Sequence, residues 1–284
     1  MNTPMRRFLV TVVLTAVAAA AMAGVATAQF KVEALDARDQ DGKVDTLEVD
    51  SKFYRFRFAL WETGSALSMI YKPLNHELRA ENYYRNHNNM FRDWVRLTEP
   101  NRVTGYTRKI GGAEISTATR LPATYRVVRQ TDEELVLEFE TRYPATEGVA
   151  WLEKIVNRRR LFIRNDTPAI RVENEIVNTD DAEHPVLFDA FNSVGLGRTD
   201  THCFMPAMEG KIVGFDSGAE RGSRFTFAPE IAGAWTGGVN AEGLGAAFSF
   251  DWADVDCMEL DMWKTVGATY SVNMRRRKVP RAGR

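Results

Sequence analysis

Residues 170–178, Ile-Arg-Val-Glu-Asn-Glu-Ile-Val-Asn, constrain the fold of this chain more than any other stretch. Ile170, Val172 and Ile176 share one parity with Asn174 and Asn178, whereas Arg171, Glu173, Glu175 and Val177 take the other. A split of period two makes a half-buried β-strand with one wet face. Just upstream, Asn165-Asp166-Thr167-Pro168 is a turn, because short polar side chains bond their own backbone and proline presets φ. Downstream the chain passes Asn178-Thr179-Asp180-Asp181 into His184–Asn192, so Ala150 to Gly197 is expected to form a central antiparallel meander.

The alternation recurs along the chain, and helical periodicity is almost absent. In Phe53–Leu60, Tyr54, Phe56, Phe58 and Leu60 are in phase, and Gly64–Tyr71 is a second strand closed by Lys72-Pro73-Leu74-Asn75. Tyr125–Gln130 and Glu134–Thr141 form a hairpin in which Leu135, Leu137 and Phe139 oppose Glu138 and Glu140 in parity. Val149–Asn157 and Leu161–Arg164 lead into the meander, with Asn157-Arg158-Arg159-Arg160 between them read as a solvated turn or edge. Gly195–Arg224 reads as irregular, followed by strands at Phe225–Phe227, Leu244–Trp252 and Val255–Trp263. About ten strands, without βαβ alternation or an internal repeat, argue for an all-β sandwich of antiparallel sheets.

The first residues stand apart. Arg6 and Arg7 precede the apolar run Phe8–Val25, and Ala26-Thr27-Ala28 is a small-residue cleavage signal. Residues 1–28 are therefore expected to be a signal peptide, 29–44 an N-terminal arm and 45–284 a single domain. The rival reading is an uncleaved membrane anchor, since the run is long enough to span. No later segment approaches about 18 consecutive apolar residues, so no membrane span is expected after leader removal. A periplasmic or secreted location follows. The formal net charge of −1 gives no reason to expect a nucleic-acid partner. Cys203 and Cys257 leave a disulfide and two separately buried thiols equally open. With the scattered histidines they offer no zinc spacing, and Asp251, Asp254, Asp256 and Asp261 lack a glycine-centred calcium loop, so neither a metal nor a cofactor is expected. Oligomeric state is not legible.

Glu77–Glu99 breaks the pattern. It combines tyrosines, a phenylalanine and a tryptophan with arginines, asparagines and a histidine, without a clean period, and reads as a long functional loop. Flat aromatic faces and amide or guanidinium donors suit the apolar face and the hydroxyls of a sugar. Arg79, Tyr83, Tyr84, Asn88, Arg92 and Trp94 are the substrate-binding candidates here, and Asn192 joins them from the meander.

The strand order, the central Asn178-Thr179-Asp180-Asp181 turn and the closing Cys257-Met258-Glu259-Leu260 together resemble the galactose mutarotase-like β-supersandwich superfamily over about residues 45–281. The resemblance implies a supersandwich of antiparallel sheets and, in aldose 1-epimerase relatives, a histidine general acid with a glutamate general base. Both are needed because one group takes the anomeric proton while the other protonates the ring oxygen. Residue by residue, His87 in N-H-N-N-M-F-R-D-W is the counterpart of the first family histidine and Glu259 that of the base. The family's second histidine lies in a stretch that here reads D-A-F-N-S-V, with Ala190 near its place, while His184 comes earlier and precedes a proline. Val279-Pro280-Arg281-Ala282-Gly283 resembles the turn before the last strand of such domains, so the sandwich is expected to be truncated there and to lack that strand.

These readings imply an exported carbohydrate-binding domain for oligo- or polysaccharide, accessory to or a remnant of a polysaccharide-processing protein. The alternatives are a sugar mutarotase or epimerase, an aldose 1-epimerase-like isomerase using His87 and Glu259, and a non-catalytic envelope interaction protein.

Overall fold

Alternating stretches become strands throughout the computed structural model. It describes residues 8–12, 30–79, 90–96, 98–99, 108–109, 121–145, 150–196, 202–206, 212–216, 222–227, 233–251, 255–263, 267–274 and 277–279. The strands begin with β1 (Phe8–Val12), β2 (Lys31–Leu35), β3 (Thr46–Asp50), β4 (Tyr54–Ala59), β5 (Ser65–Tyr71) and β6 (His76–Glu77). Next come β7 (Arg92–Arg96), β8 (Thr98–Glu99), β9 (Arg108–Lys109), β10 (Ala123–Gln130), β11 (Glu134–Arg142) and β12 (Ile155–Arg164). After them lie β13 (Ile170–Asn178), β14 (His184–Ser193), β15 (His202–Pro206), β16 (Ile212–Asp216) and β17 (Gly222–Phe227). The series ends with β18 (Trp235–Val239), β19 (Gly245–Phe250), β20 (Val255–Trp263), β21 (Gly267–Met274) and β22 (Arg277–Val279). Helical structure among the described residues is confined to short 3-10 turns at Lys72–Leu74 and Ala150–Lys154.

The strands form antiparallel sheets. A nine-stranded sheet runs β10-β11-β12-β13-β1-β19-β18-β15-β16, and a five-stranded sheet runs β2-β3-β4-β5-β6. A six-stranded sheet runs β17-β20-β21-β14-β22, with β7 also on β14, and β8 pairs β9 separately. The core forms where like-parity apolar residues of two sheets meet. Tyr54, Phe56 and Phe58 of β4 are buried while Arg55 and Arg57 between them are exposed. Leu135, Leu137 and Phe139 of β11 are buried as well, and the Phe58 and Phe139 rings lie 5.1 Å apart. The turn Asn165–Pro168 is anchored from outside: Tyr54 Oη donates to the Pro168 carbonyl at 2.7 Å, and Asn165 Oδ1 accepts from the Lys52 amide at 3.0 Å.

Several expectations are corrected. The meander is split, because a turn at residues 179–183 sends β13 into the nine-stranded sheet and β14 into the six-stranded one. His184 holds that turn, with Nε2 at 2.5 Å from Asp180 Oδ2 and its ring stacked on Trp151. Asn157–Arg160 is neither turn nor edge. It lies inside β12, paired on both sides by β11 and β13. The stretch read as irregular from Gly195 contains β15 and β16. Part of the expected loop Glu77–Glu99 is strand, because Arg92, Trp94 and Arg96 alternate with Asp93 and Val95 and pair with β14.

On the other parity of β10–β12, charges alternate across the strands. Glu138 accepts from Arg126 Nε at 2.7 Å and from Arg160 Nε at 2.6 Å, and Glu140 accepts from Arg158 Nε at 2.9 Å and Arg142 Nη2 at 2.8 Å. Partial burial pushes both carboxyl values up, but the arginine hydrogen bonds and charges outweigh it and hold both below the usual glutamate value of 4.5. A depressed folded value means stability that is fully present above pH 4.5 and is lost as pH falls through the folded value. Thermal melts below pH 4.5 should therefore fall more steeply for the wild type than for Glu138→Gln. A second expectation concerns Gly64, at φ +65°, where an added Cβ would sit 2.4 Å from the Phe139 ring. Gly64→Ala should cost about 2–4 kcal/mol in urea unfolding, from backbone strain and overpacking together.

Candidate functional site

The polar parity of the six-stranded sheet gathers much of the chemistry-bearing sequence. In antiparallel pairs directly opposite residues share a face, so register can be followed from strand to strand. Arg92 of β7 stands opposite Phe191 of β14, Phe191 opposite Ser271 of β21, and Ser271 opposite Glu259 of β20. The next row of the same parity runs Trp94, Asp189, Asn273 and Cys257. Positions of the other parity are mostly apolar, as in the rows Asp93-Ala190-Val272-Met258 and Asn192-Tyr270-Leu260. Arg92, Trp94 and Glu259 thus share one face, and Ala190 and Asn192 belong to the other. Three strand intervals of about 4.8 Å separate the Arg92 and Glu259 backbones by roughly 14 Å.

The remaining candidates fall elsewhere. His87, Tyr83, Tyr84 and Asn88 lie outside the described residues. Arg79 bridges to Val194, just past β14, and its Nη1 donates to the Leu67 carbonyl at 3.0 Å, tying the five-stranded sheet to the end of β14. His76 adds to that tie, with Nε2 at 3.1 Å from the Gly195 carbonyl. Cys203 and Cys257 stand in different sheets, on β15 and β20.

Sequence reasoning missed the residue that positions β7. Arg159 is 1 % exposed on β12. Its Nη2 donates to the carbonyls of Thr63 at 2.9 Å and Gly64 at 2.5 Å, and its Nη1 donates to the Phe91 carbonyl. Thr63 and Phe91 hold the left-handed backbone that non-glycine residues seldom adopt, at φ 55° and 57°. The guanidinium therefore grips two unfavourable corners, one of them directly before Arg92. A pair of bonds between Ala66 and Met90 fixes the same corner. A parity count was the available signal, since Arg159 falls in phase with the apolar Leu161 and Ile163 and out of phase with Arg158 and Arg160.

A second missed feature is the group Asp36, Asp39 and Asp45, whose carboxylates lie within 4.8 Å of one another. The signal was Asp39-Gln40-Asp41-Gly42, with Gly42 at φ +85°. Asp45 is committed to the loop itself: Oδ1 accepts from the Ala37 amide at 3.0 Å and Oδ2 from the Arg38 amide at 2.8 Å. An open depression of about 350 Å³ lies over Thr124, Tyr125, Arg126, Glu138, Glu140 and Arg158, and its carboxylates are taken by the arginines described above.

No protein-family model and no curated protein matches the chain. Solved structures do. A TPR-domain containing protein from Parabacteroides distasonis aligns at TM-score 0.56 and 8 % identity, over 83 % of this chain and 44 % of that one. The chain thus spans less than half the length of that relative. A galactose mutarotase-like protein from Lactobacillus casei aligns at TM-score 0.53 and 9 % identity, over 80 % and 87 % of the two chains. A putative aldose 1-epimerase from Klebsiella pneumoniae aligns at TM-score 0.57 and 13 % identity, over 90 % and 81 %.

Arg159→Met should lower stability by about 3–5 kcal/mol, because three buried carbonyls lose their shared donor. Arg159→Lys, which keeps the charge but not the fork, should fall between the two in chemical denaturation. Taken together, sheet order and structural likeness establish that the chain has the galactose mutarotase-like β-sandwich fold.

Proposed function

We propose that the protein is an exported carbohydrate-binding domain, which holds an oligo- or polysaccharide on the polar parity of β7, β14, β21 and β20. The observation that carries this reading is the pair of register rows that bring Arg92, Trp94, Asp189, Ser271, Asn273 and Glu259 to one face. An aromatic, a guanidinium, carboxylates and short polar side chains are the groups that grip sugar rings and hydroxyls. The width of that face bears on whether it meets a polymer or a single sugar. A backbone span of roughly 14 Å over three strand intervals favours a chain of sugars laid across the strands. Export rests on the basic, apolar and small-residue segments of residues 1–28.

The epimerase reading keeps one specific support, the match of Cys257–Leu260 to the family's base segment. A glycan array should detect binding to an oligosaccharide, and Trp94→Ala and Arg92→Ala should each weaken it at least tenfold in calorimetric titration while the melting temperature is unchanged. Mutarotation of α-glucose and α-galactose should proceed at the buffer rate and be indifferent to Glu259→Gln. Faster mutarotation that Glu259→Gln abolishes would install the epimerase reading instead. Silence across neutral and uronic-acid glycans would leave a protein-interaction role in the envelope.

A further inference from the structure

We propose that the gap between β13 and β19 is a strand-acceptor site, and that in the exported protein an extended apolar segment of another polypeptide takes the place of Phe8–Val12. The inference rests on the export reading above for the departure of β1, and on the sheet itself for the site.

In the nine-stranded sheet β1 is an interior strand, antiparallel to both neighbours. Its register with β13 runs from Phe8 opposite Asn174 to Val12 opposite Ile170. On the other side Val10 stands opposite Phe250 and Thr11 opposite Ser249. The same five residues belong to the apolar run of the expected leader, upstream of Ala26-Thr27-Ala28. A chain cleaved after Ala28 cannot keep them. Its removal leaves β13 and β19 two strand spacings apart, about 9.6 Å, too far to pair with each other without moving. Two facing rows of unpaired amides and carbonyls remain, with buried Ile170, Val172 and Phe250 along them. A single exposed edge already recruits strands. A slot with two edges pairs an incoming strand on both sides.

The seated segment, Phe-Leu-Val-Thr-Val, shows the chemistry the slot accepts: apolar, rich in β-branched residues and without charge. One position is poorly matched. Asn174 is 1 % exposed, neither its amide oxygen nor its amide nitrogen has a partner, and its register neighbour in the slot is Phe8. A buried amide left unsatisfied is costly. A strand suited to the slot therefore carries a hydrogen-bonding side chain opposite Asn174.

The test uses the full chain. Val10 is paired on both sides, and proline cannot occupy an interior strand, so Val10→Pro empties the slot without altering its walls. This variant should melt below the wild type. A synthetic peptide spanning residues 6–14 should bind it saturably and restore its midpoint, and should not bind the wild type, whose slot is filled. The same peptide with proline at Val10 should do neither. A peptide with asparagine at Phe8 should bind roughly tenfold more tightly than the parent, the size of one satisfied hydrogen bond. A variant that melts like the wild type, or that ignores the parent peptide, overturns the site, and equal or weaker binding of the asparagine peptide overturns the polar position. Should Val10→Pro not fold, amide exchange on the wild type decides: amides of Phe8–Val12 protected like those of β13 support the site, and free exchange overturns it. The mass of the exported product tests the other premise separately, because a product that retains residues 8–12 overturns export with cleavage, and with it the replacement, but not the slot.

Discussion

The grip of one buried guanidinium on three backbone carbonyls holds the sheets in their mutual arrangement. Arg159 belongs to the nine-stranded sheet, Thr63 and Gly64 form the turn between two strands of the five-stranded sheet, and Phe91 opens the strand that joins the six-stranded sheet. A charge taken out of water must recover its hydration from partners, and a planar fork of donors reaches several acceptors at once. The acceptors are supplied by left-handed corners at Thr63 and Phe91, each costing about 1–3 kcal/mol on its own. Neither side of the contact is favourable alone, which makes the arrangement specific. The Phe139 ring closes it, pressed against Gly64 where any side chain would collide.

The consequence for function is positional. Arg92 follows the gripped Phe91 directly, so the buried contact sets where β7 begins and which of its residues share a face with Glu259. Sheet alternation does the rest, separating a polar parity from an apolar one across four strands. The fold by itself does not choose between binding and catalysis. The breadth of the face between Arg92 and Glu259 is what supports the proposed polymer over a single sugar.

The legible part of the sequence was local. Tyr54, Phe56 and Phe58 alternate with arginines, Leu135, Leu137 and Phe139 with acids, and Asn165–Pro168 carries its turn in its own side chains, so strand, face and reversal could be read there. What failed depended on partners far along the chain. Three consecutive arginines look solvated until Arg159 meets carbonyls some 68 to 96 residues away in sequence. β7 looks like loop because its pairing with β14 joins residues 91 to 99 positions apart, without an apolar face of its own to announce it. The meander looked continuous since no local signal tells a turn within a sheet from a turn between sheets. For the candidate site, Arg92, Trp94 and Glu259 were named from composition and resemblance, while their shared parity followed only from the register of the strands between them.

The proposed function places sugar on the polar parity of β7, β14, β21 and β20. Backbone amide chemical-shift mapping during titration with an oligosaccharide tests it most directly. Shifts should concentrate along those four strands, spreading from Arg92 and Trp94 to Glu259, with the ion-paired face of β10–β12 quiet. Shifts confined to that ion-paired face, or none on the four strands at saturating sugar, would contradict it.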